Sequence, residues 1–390
     1  MRPRVIFIAG FLILFVGGGA RFAIGLTLKP MVAELGWARG EVGLAAGCYL
    51  VVSAFATYLA GRLADRVSPR ALLMLGVIVS GAGMGLMSLA HWPWQALLFY
   101  GVVFAVGNGL ASLTPVGVLV THAFPGRTGL ANAAVISGTS IGQLVIIAAL
   151  AALLGPLGWR SVFLWLAGAH GALLPLLFLA LPRRAPTASG GRRPGLGVGD
   201  AVRTSRLWLL LTVYAICGCD DFFVSTHIVA FAQDHGVAPL LAGDLLALMG
   251  LTGLIGVLAA GLLGDAIGAA RTAAIAFATR VAVFALIAVD RSMPSIAAFA
   301  LLFGATFLVT APLTVLFVRD HFGMANLGAL TGIVTMVHQI FGGIGAYGGA
   351  LMFDARGSYD VTFALLLVAS ALALMLSWRL RGAPATAPPG

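Results

Sequence analysis

Among the ionisable side chains inside stretches that are otherwise apolar, six stand out: Arg21, Asp220, Asp221, His227, Arg280 and His338. A charge at bilayer depth costs about 2.5 to 3.5 kcal/mol on insertion scales, so each such group is a functional candidate by default. Two arginines against two aspartates balance before any histidine takes a proton. A guanidinium can grip a carboxylate through two parallel hydrogen bonds, and a histidine titrates near pH 6.5, within reach of a physiological gradient. This is chemistry for binding an anion and moving a proton. No nucleophile stands beside a base, no spacing of cysteines suits a metal, and no glycine loop suits a nucleotide phosphate. Catalysis, a metal and a cofactor are therefore not expected.

The elements that carry these groups belong in a lipid bilayer. The chain has 390 residues, 60% of them AVILMFWYC and 9% charged, where a soluble domain carries about 25% charged residues. Mean hydropathy is +1.04. Apolar runs between polar punctuation predict twelve helices, at roughly 5–33, 40–61, 71–90, 95–122, 131–154, 160–182, 207–233, 240–263, 271–289, 294–318, 328–352 and 361–379. Each is near the roughly 20 residues that cross a hydrocarbon core. The expected class is an all-α membrane protein of twelve spans. Arg21 then lies in the first span, both aspartates and His227 in the seventh, Arg280 in the ninth and His338 in the eleventh.

A polar stretch rich in Arg, Gly and Pro reads as a flexible linker over 183–206. It divides the chain into six-span bundles over 1–182 and 207–381, and 382–390 reads as a disordered tail. A shift of 200 residues lays Gly61-Arg-Leu-Ala-Asp65 on Gly261-Leu-Leu-Gly-Asp265. A shift of 196 lays Thr139-Ser-Ile-Gly-Gln143 on Thr335-Met-Val-His-Gln339. Two such matches imply a duplicated unit whose halves meet at a central pathway.

The duplication also places the candidate groups. Arg21 and Asp221 fall at equivalent positions of the first span in each half, which predicts a latch across the pathway. An anion would compete with Asp221 for Arg21, and a proton on the aspartate would free the arginine. Asp220 is the expected partner of Arg280, and His227, on the same helix face as Asp220, offers a proton route outward. His338 and Gln339 add polarity where the other half has Gly142 and Gln143. Asn108 and Thr310 precede Pro115 and Pro312, where kinks are expected. The expected substrate contacts are thus Arg21, Asp221, His338, Gln339, Asn108, Gln143 and Thr310. The expected proton-coupling set is Asp220, Asp221, Arg280 and His227.

Basic residues settle the expected orientation. With the N-terminus inside, Arg2, Arg4, Arg62, Arg66, Arg70, Arg127, Arg183, Arg184, Arg192, Arg193, Arg203, Arg206, Arg271, Arg319, Arg379 and Arg381 fall on the cytoplasmic side. Among the arginines, only Arg39, Arg160, Arg291 and Arg356 fall outside. Both termini are expected in the cytoplasm, and the charge so placed leaves no surface for nucleic acid.

Residues 61–71, Gly-Arg-Leu-Ala-Asp-Arg-Val-Ser-Pro-Arg-Ala, resemble the loop between the second and third helices of the major facilitator superfamily. Ser68 replaces its second glycine and Ala71 its last base. The copy at 261–271 keeps Gly268 and loses most arginines. Asp65 is placed to cap the next helix, and Arg66 and Arg70 to pair across the halves. Gly61, Asp65, Arg66, Arg70, Gly261, Asp265 and Arg271 are the expected conformational gate. Gly17-Gly-Gly-Ala-Arg21-Phe22, Pro30 and Glu34-Leu-Gly-Trp37 resemble the opening helix of the bacterial monocarboxylate-porter-like and oxalate/formate-antiporter-like branch. An arginine that this branch often carries in helix 8 is missing here.

The resemblance implies a monomeric secondary transporter in a bacterial inner membrane. Its expected cargo is a small organic anion, a monocarboxylate, moved by alternating access with protons. The alternative is proton-coupled efflux of a hydrophobic or cationic compound. Against that alternative, Gly138 and Gly142 in the fifth span lead to Gln143 and not to proline.

Overall fold

The computed structural model describes residues 3–64, 67–124, 128–181, 195–323 and 326–381, which are largely helical and, among those residues, contain no strand. The first six spans use α1 (Pro3–Ala20), α2 (Ala23–Leu35), α3 (Arg39–Ala64), α4 (Pro69–Met87), α5 (Pro93–Ala96), α6 (Ala105–Leu110), α7 (Leu113–Ala123) and α8 (Thr128–Ala180). A π-helical stretch, Leu97–Phe104, joins α5 to α6. After the short α9 (Val198–Val202) come α10 (Ser205–Asp234), α11 (Pro239–Ile267), α12 (Ala269–Val289), α13 (Met293–Phe307), α14 (Thr310–Phe322), α15 (Leu327–Arg356) and α16 (Asp360–Arg379).

Several helices are one span in two pieces, or two spans in one piece, for identifiable reasons. The 53 residues of α8 break at Gly158, whose φ of 74° and ψ of 168° leave the helical region. At about 1.5 Å per residue the unbroken helix would be far longer than the roughly 30 Å hydrocarbon core. The break yields the fifth and sixth spans and brings the total to twelve. The fourth span interrupts at Ala111–Ser112 and the tenth at Leu308–Val309. Ala111 and Leu308 stand four residues before Pro115 and Pro312, where a proline ring collides with the carbonyl behind it. The first span, expected as one helix over 5–33, breaks at Arg21–Phe22 between α1 and α2.

An even number of spans puts Pro3 and Arg379 at the same face, here the terminus side. Small residues bring the helices together within each half. A Cβ on Gly142 would fall on the carbonyl of Phe15, and one on Gly218 would fall on the carbonyl of His338. Such close approach is how helices associate in lipid. Between the halves, α2 packs on α10, α3 on α15 and α8 on α11.

Two expectations about the loops change. The linker expected over 183–206 lies outside the described residues as far as 194. From Gly195 on it is docked: Leu196 donates its amide to the Phe322 carbonyl at 2.8 Å, Asn326 donates to the Leu196 carbonyl at 2.8 Å, and Ala201 is fully buried. The tail, 382–390, lies outside the described residues. The cap of α4 is Ser68, whose hydroxyl accepts from the Ala71 amide at 3.1 Å. A serine immediately before Pro69 is correctly placed for this; Asp65, expected in that role, lies outside the described residues.

Candidate functional site

The buried ionisable groups form one cluster inside the second half. Arg280, on α12, is 1% exposed, as is Asp221, and Asp220 is fully buried. Arg280 Nη2 lies 2.5 Å from Asp221 Oδ1, and Nη1 lies 3.4 Å from Asp220 Oδ2. Its Nε donates to the Thr306 hydroxyl at 3.0 Å and Nη2 also to the Thr306 carbonyl at 3.2 Å. Ser370 donates to Asp220 Oδ2 at 2.7 Å. The second Asp220 oxygen, Oδ1, is buried without a hydrogen-bond partner. On the pathway side, His338 Nε2 stands 3.0 Å from Asp221 Oδ2, and the histidine keeps 16% side-chain exposure. Thr335, less than one turn nearer the termini, is exposed.

Two carboxylates against one guanidinium leave this cluster one negative charge when His338 is neutral. A charge excess at that depth is costly, and one proton on His338 or on an aspartate removes it. The free Asp220 oxygen and the exposed edge of His338 are the two places where a proton can sit.

Arg21 is elsewhere. The expected latch to Asp221 is not made, because Asp221 is taken by Arg280 and His338. Arg21 stands at the break between α1 and α2, with its guanidinium carbon 4.7 Å from the Phe22 ring centroid and 5.5 Å from that of Phe222. Among the described residues it makes no ion pair. Tyr49, Tyr100, Phe222, Ser225 and Thr226 join it around a cavity of about 20 Å³, room for little more than one water. The break frees the first amides of α2, whose N-cap Phe22 supplies no side-chain cap, so a helix dipole end adds to the positive charge. Phe222 stands beside both charged sites: its ring also lies 5.6 Å from the His338 ring.

Tyr49 donates to Asn108 Oδ1 at 2.9 Å and Tyr100 donates to the Arg21 carbonyl at 2.6 Å. These tyrosines, not singled out from the sequence, hold Asn108 and the helix break in place. The π-helical turn around Tyr100 gave no sequence signal beyond a run of apolar residues.

Other expected site residues have different partners. Gln143 is 2% exposed and donates to the Leu246 carbonyl across the halves at 3.0 Å. Gln339 accepts from Ser53 across the halves at 2.8 Å. Thr310 offers its carbonyl to the Tyr214 hydroxyl at 2.9 Å. These three bind protein groups here. His227 also has partners of its own: its Nε2 lies 2.8 Å from the Ala346 carbonyl and its Nδ1 lies 3.0 Å from the Tyr359 hydroxyl. Phe223 packs against it, 5.2 Å between ring centres, on the side toward Asp220.

His227 borders, through Tyr359, a clasp on the side away from the termini. Arg39 reaches Asp234 at 2.7 Å and donates to the Tyr359 hydroxyl at 2.9 Å. Lys29 reaches Asp234 at 2.8 Å. The amides of Arg39 and Gly40 donate to the Asp354 carboxylate at 3.1 and 2.6 Å. Each of these bonds joins the first half to the second. Burial pushes the Tyr359 phenol up to about 12, so it stays a neutral donor. Apart from His227, none of these clasp residues was singled out from the sequence as a site.

Among the described residues, the gate loops show no such bond between the halves. Arg70 donates Nε to the Leu181 carbonyl at 2.9 Å, within its own half, and not across the halves as expected. Gly61 faces Thr114, Gly261 meets open space, and Asp265 and Arg271 are exposed. Asp65 and Arg66 lie outside the described residues.

A metal set does arise in space that no sequence spacing indicated: Cys217, Asp221 and His338 bring ligand atoms within 4.8 Å of one another. Arg280 already occupies Asp221, and a cation beside a guanidinium meets repulsion, so the set fits a proton better than a metal.

The major facilitator superfamily model matches residues 10–219 and again 210–390. The chain is 24% identical over 368 residues to an uncharacterised MFS-type transporter, YcxA, of Bacillus subtilis, covering 89% of this chain and 90% of that one. It is 26% identical over 370 residues to monocarboxylate transporter 13 of Bos taurus, covering 92% and 85%. Among solved structures, the nucleoside transporter NupG superposes with a TM-score of 0.78 at 13% identity, covering 97% of this chain and 98% of that one.

Proposed function

Since the chain belongs to the major facilitator superfamily, and is a multi-pass secondary transporter of small molecules and not an enzyme, we propose that its cargo is a small organic anion, a monocarboxylate, carried with a proton. The observation that carries this reading is Arg21: a guanidinium at mid-span, beside an uncapped helix start, with no ion pair among the described residues. Once the halves part enough to widen the small cavity, a carboxylate bound there would receive two parallel hydrogen bonds in low-dielectric surroundings, where such bonds are strongest.

The second site supplies the coupling. Arg21 contributes one positive charge to the pathway and the Arg280 cluster one negative charge, with the Phe222 ring beside both. An anion on Arg21 and a proton on the cluster neutralise both. The empty and the fully loaded carrier then hold no net charge at mid-depth, while either half-loaded form does. Reorientation through a hydrocarbon core penalises the half-loaded forms, so anion and proton move together. Relatedness to a protein named as a monocarboxylate transporter supports the cargo class.

The arginine distribution supports a location in the inner membrane of a bacterium with both termini in the cytoplasm. The clasp of Arg39, Asp234, Asp354 and Tyr359 then seals the outside. The halves, 1–182 and 207–381, are the rocking bodies, and the transporter works as a monomer.

The reading is tested by thermal shift of the purified protein against a panel of mono- and dicarboxylates, repeated with Arg21→Ala. A monocarboxylate should stabilise the parent and lose its effect in the variant. Stabilisation by cations or neutral apolar compounds, retained in Arg21→Ala, would instead establish the efflux alternative.

A further inference from the structure

A second cavity, about 340 Å³, lies at the terminus side of the second half, apart from the pathway. It is bounded by the start of α12 and the ends of α14 and α16. Arg271, Arg381 and His321 supply its basic edge, Asp320 its acidic one, and Phe317 and Leu380 its apolar floor.

The charges in this cavity do not cancel. Asp320 is held by Arg319 at 2.8 Å, and Arg206 stands 3.2 Å from His321 Nδ1. Arg271 and Arg381 make no ion pair among the described residues. Arg381 Nε is buried without a partner, its guanidinium carbon lying 3.0 Å from the Trp378 ring centroid. Desolvation, with the charge of Arg271 beside it, holds the Arg381 pKa below its ordinary value. The α12 start adds amides without intrahelical acceptors, because its N-cap, Gly268, brings no side-chain cap. Two uncompensated guanidiniums and a helix start around one cavity are a site for an anion with several oxygens.

The setting indicates how that anion is delivered. Trp378 is 51% exposed and Met375 60% exposed on the adjoining face of α16, and aromatic rings of this kind mark the headgroup level of a bilayer. An apolar floor open to that level suits a group carried on acyl chains. We propose that this cavity binds a phosphate group, presented by an anionic phospholipid, through Arg271 and Arg381. Basic pockets between spans at a membrane face have the right potential for such headgroups.

The test uses the full chain, delipidated in neutral detergent, and reads both thermal shift and retained lipid by native mass spectrometry. Dioleoylphosphatidylglycerol should stabilise it at concentrations where dioleoylphosphatidylcholine does little. Arg271→Gln and Arg381→Gln should each weaken phosphatidylglycerol binding about fivefold, the share of one basic residue near an anionic surface. Lysine at either position should keep most of the binding, which separates lost charge from lost fold. Inorganic phosphate alone binding as tightly as the lipid would keep the phosphate chemistry and overturn the lipid as its source. Equal binding of the two lipids, or phosphatidylglycerol binding unchanged in Arg271→Gln/Arg381→Gln, would overturn the proposal.

Discussion

Arg280 reaches Asp221 at 2.5 Å within one half of the molecule, and that contact decides how the pathway is charged. An aspartate bound to the arginine of its own bundle is unavailable to the arginine of the other. Arg21 is left with ring faces for neighbours, and the acidic cluster is left one charge short of neutrality.

Removing Arg280 should therefore be more damaging than removing Arg21. Arg280→Ala would leave two carboxylates buried beside each other without a counter-charge, and breaking a buried pair costs about 3 to 5 kcal/mol. The expected result is a large fall in melting temperature. Arg280→Met combined with Asp221→Asn returns the cluster to the parent's single negative charge, and should recover part of that stability without recovering transport. A melting temperature for Arg280→Ala equal to that of the parent would mean that the cluster is hydrated and not desolvated as its burial indicates.

The twelve spans, the two kinks before proline and the buried Asp220, Asp221, His227 and Arg280 were legible in the sequence, because each depends on a local property: an apolar run, a missing amide, a polar residue among apolar ones; the buried His170 was passed over. Pairing was not legible. Arg21 and Asp221 occupy equivalent places in the repeat, and symmetry alone set them facing each other. The choice between Arg21 and Arg280 as partner depends on which helix faces turn inward, and α12 carries no periodicity that says so. The clasp was missed for the same reason. Arg39, Asp234, Asp354 and Tyr359 sit at helix ends where polar residues are ordinary, and only their convergence makes them notable.

Charge balance predicts the electrical signature of transport. With one anion neutralising Arg21 and one proton neutralising the cluster, uptake into proteoliposomes should be electroneutral and accompanied by alkalinisation outside. His338→Gln removes the exposed proton acceptor while keeping a side chain able to hydrogen-bond Asp221. It should slow net uptake by about tenfold or more, the effect of about 1.4 kcal/mol on the loaded carrier's barrier, while anion exchange, which needs no proton release, suffers less. Equal loss of both activities would assign His338 to cargo binding.

Phe222 should act as the insulator between the sites. Its ring lies 5.5 Å from the Arg21 guanidinium carbon and 5.6 Å from the His338 ring. Phe222→Ala would open a route by which Arg21 can approach Asp221 directly. Self-neutralisation of that kind removes the reason to bind either cargo, so affinity for the anion should fall although the residue replaced is neither charged nor polar. Phe222→Leu, which keeps an apolar barrier, should retain much of it. Carboxylate-induced thermal shifts of the two variants distinguish them; equal shifts would remove Phe222 from the coupling.

The clasp makes the last prediction, because it holds the face away from the termini shut. Arg39 bonds Asp234 and Tyr359, and Asp354 accepts the amides of Arg39 and Gly40, so one side chain and one helix start carry most of the cross-half hydrogen bonding there. Arg39→Ala removes the side-chain bonds and leaves Asp234 with Lys29 alone. The population should move toward a form open on the side away from the termini, by roughly five- to thirtyfold if the lost bonds are together worth about 1 to 2 kcal/mol. Thr226→Cys, at a position lining the small cavity beside Arg21, reports the change by labelling from that side. Tyr359→Phe, which deletes only the bridge between Arg39 and His227, should move it less. Because burial holds the Tyr359 phenol up to about 12, its neutral, donating form is lost only as pH rises toward that value. The Tyr359 contribution to closure should therefore stay constant from about pH 6 to about 9, and labelling rates that climb steeply within that window would point to a different group as the pin of the clasp.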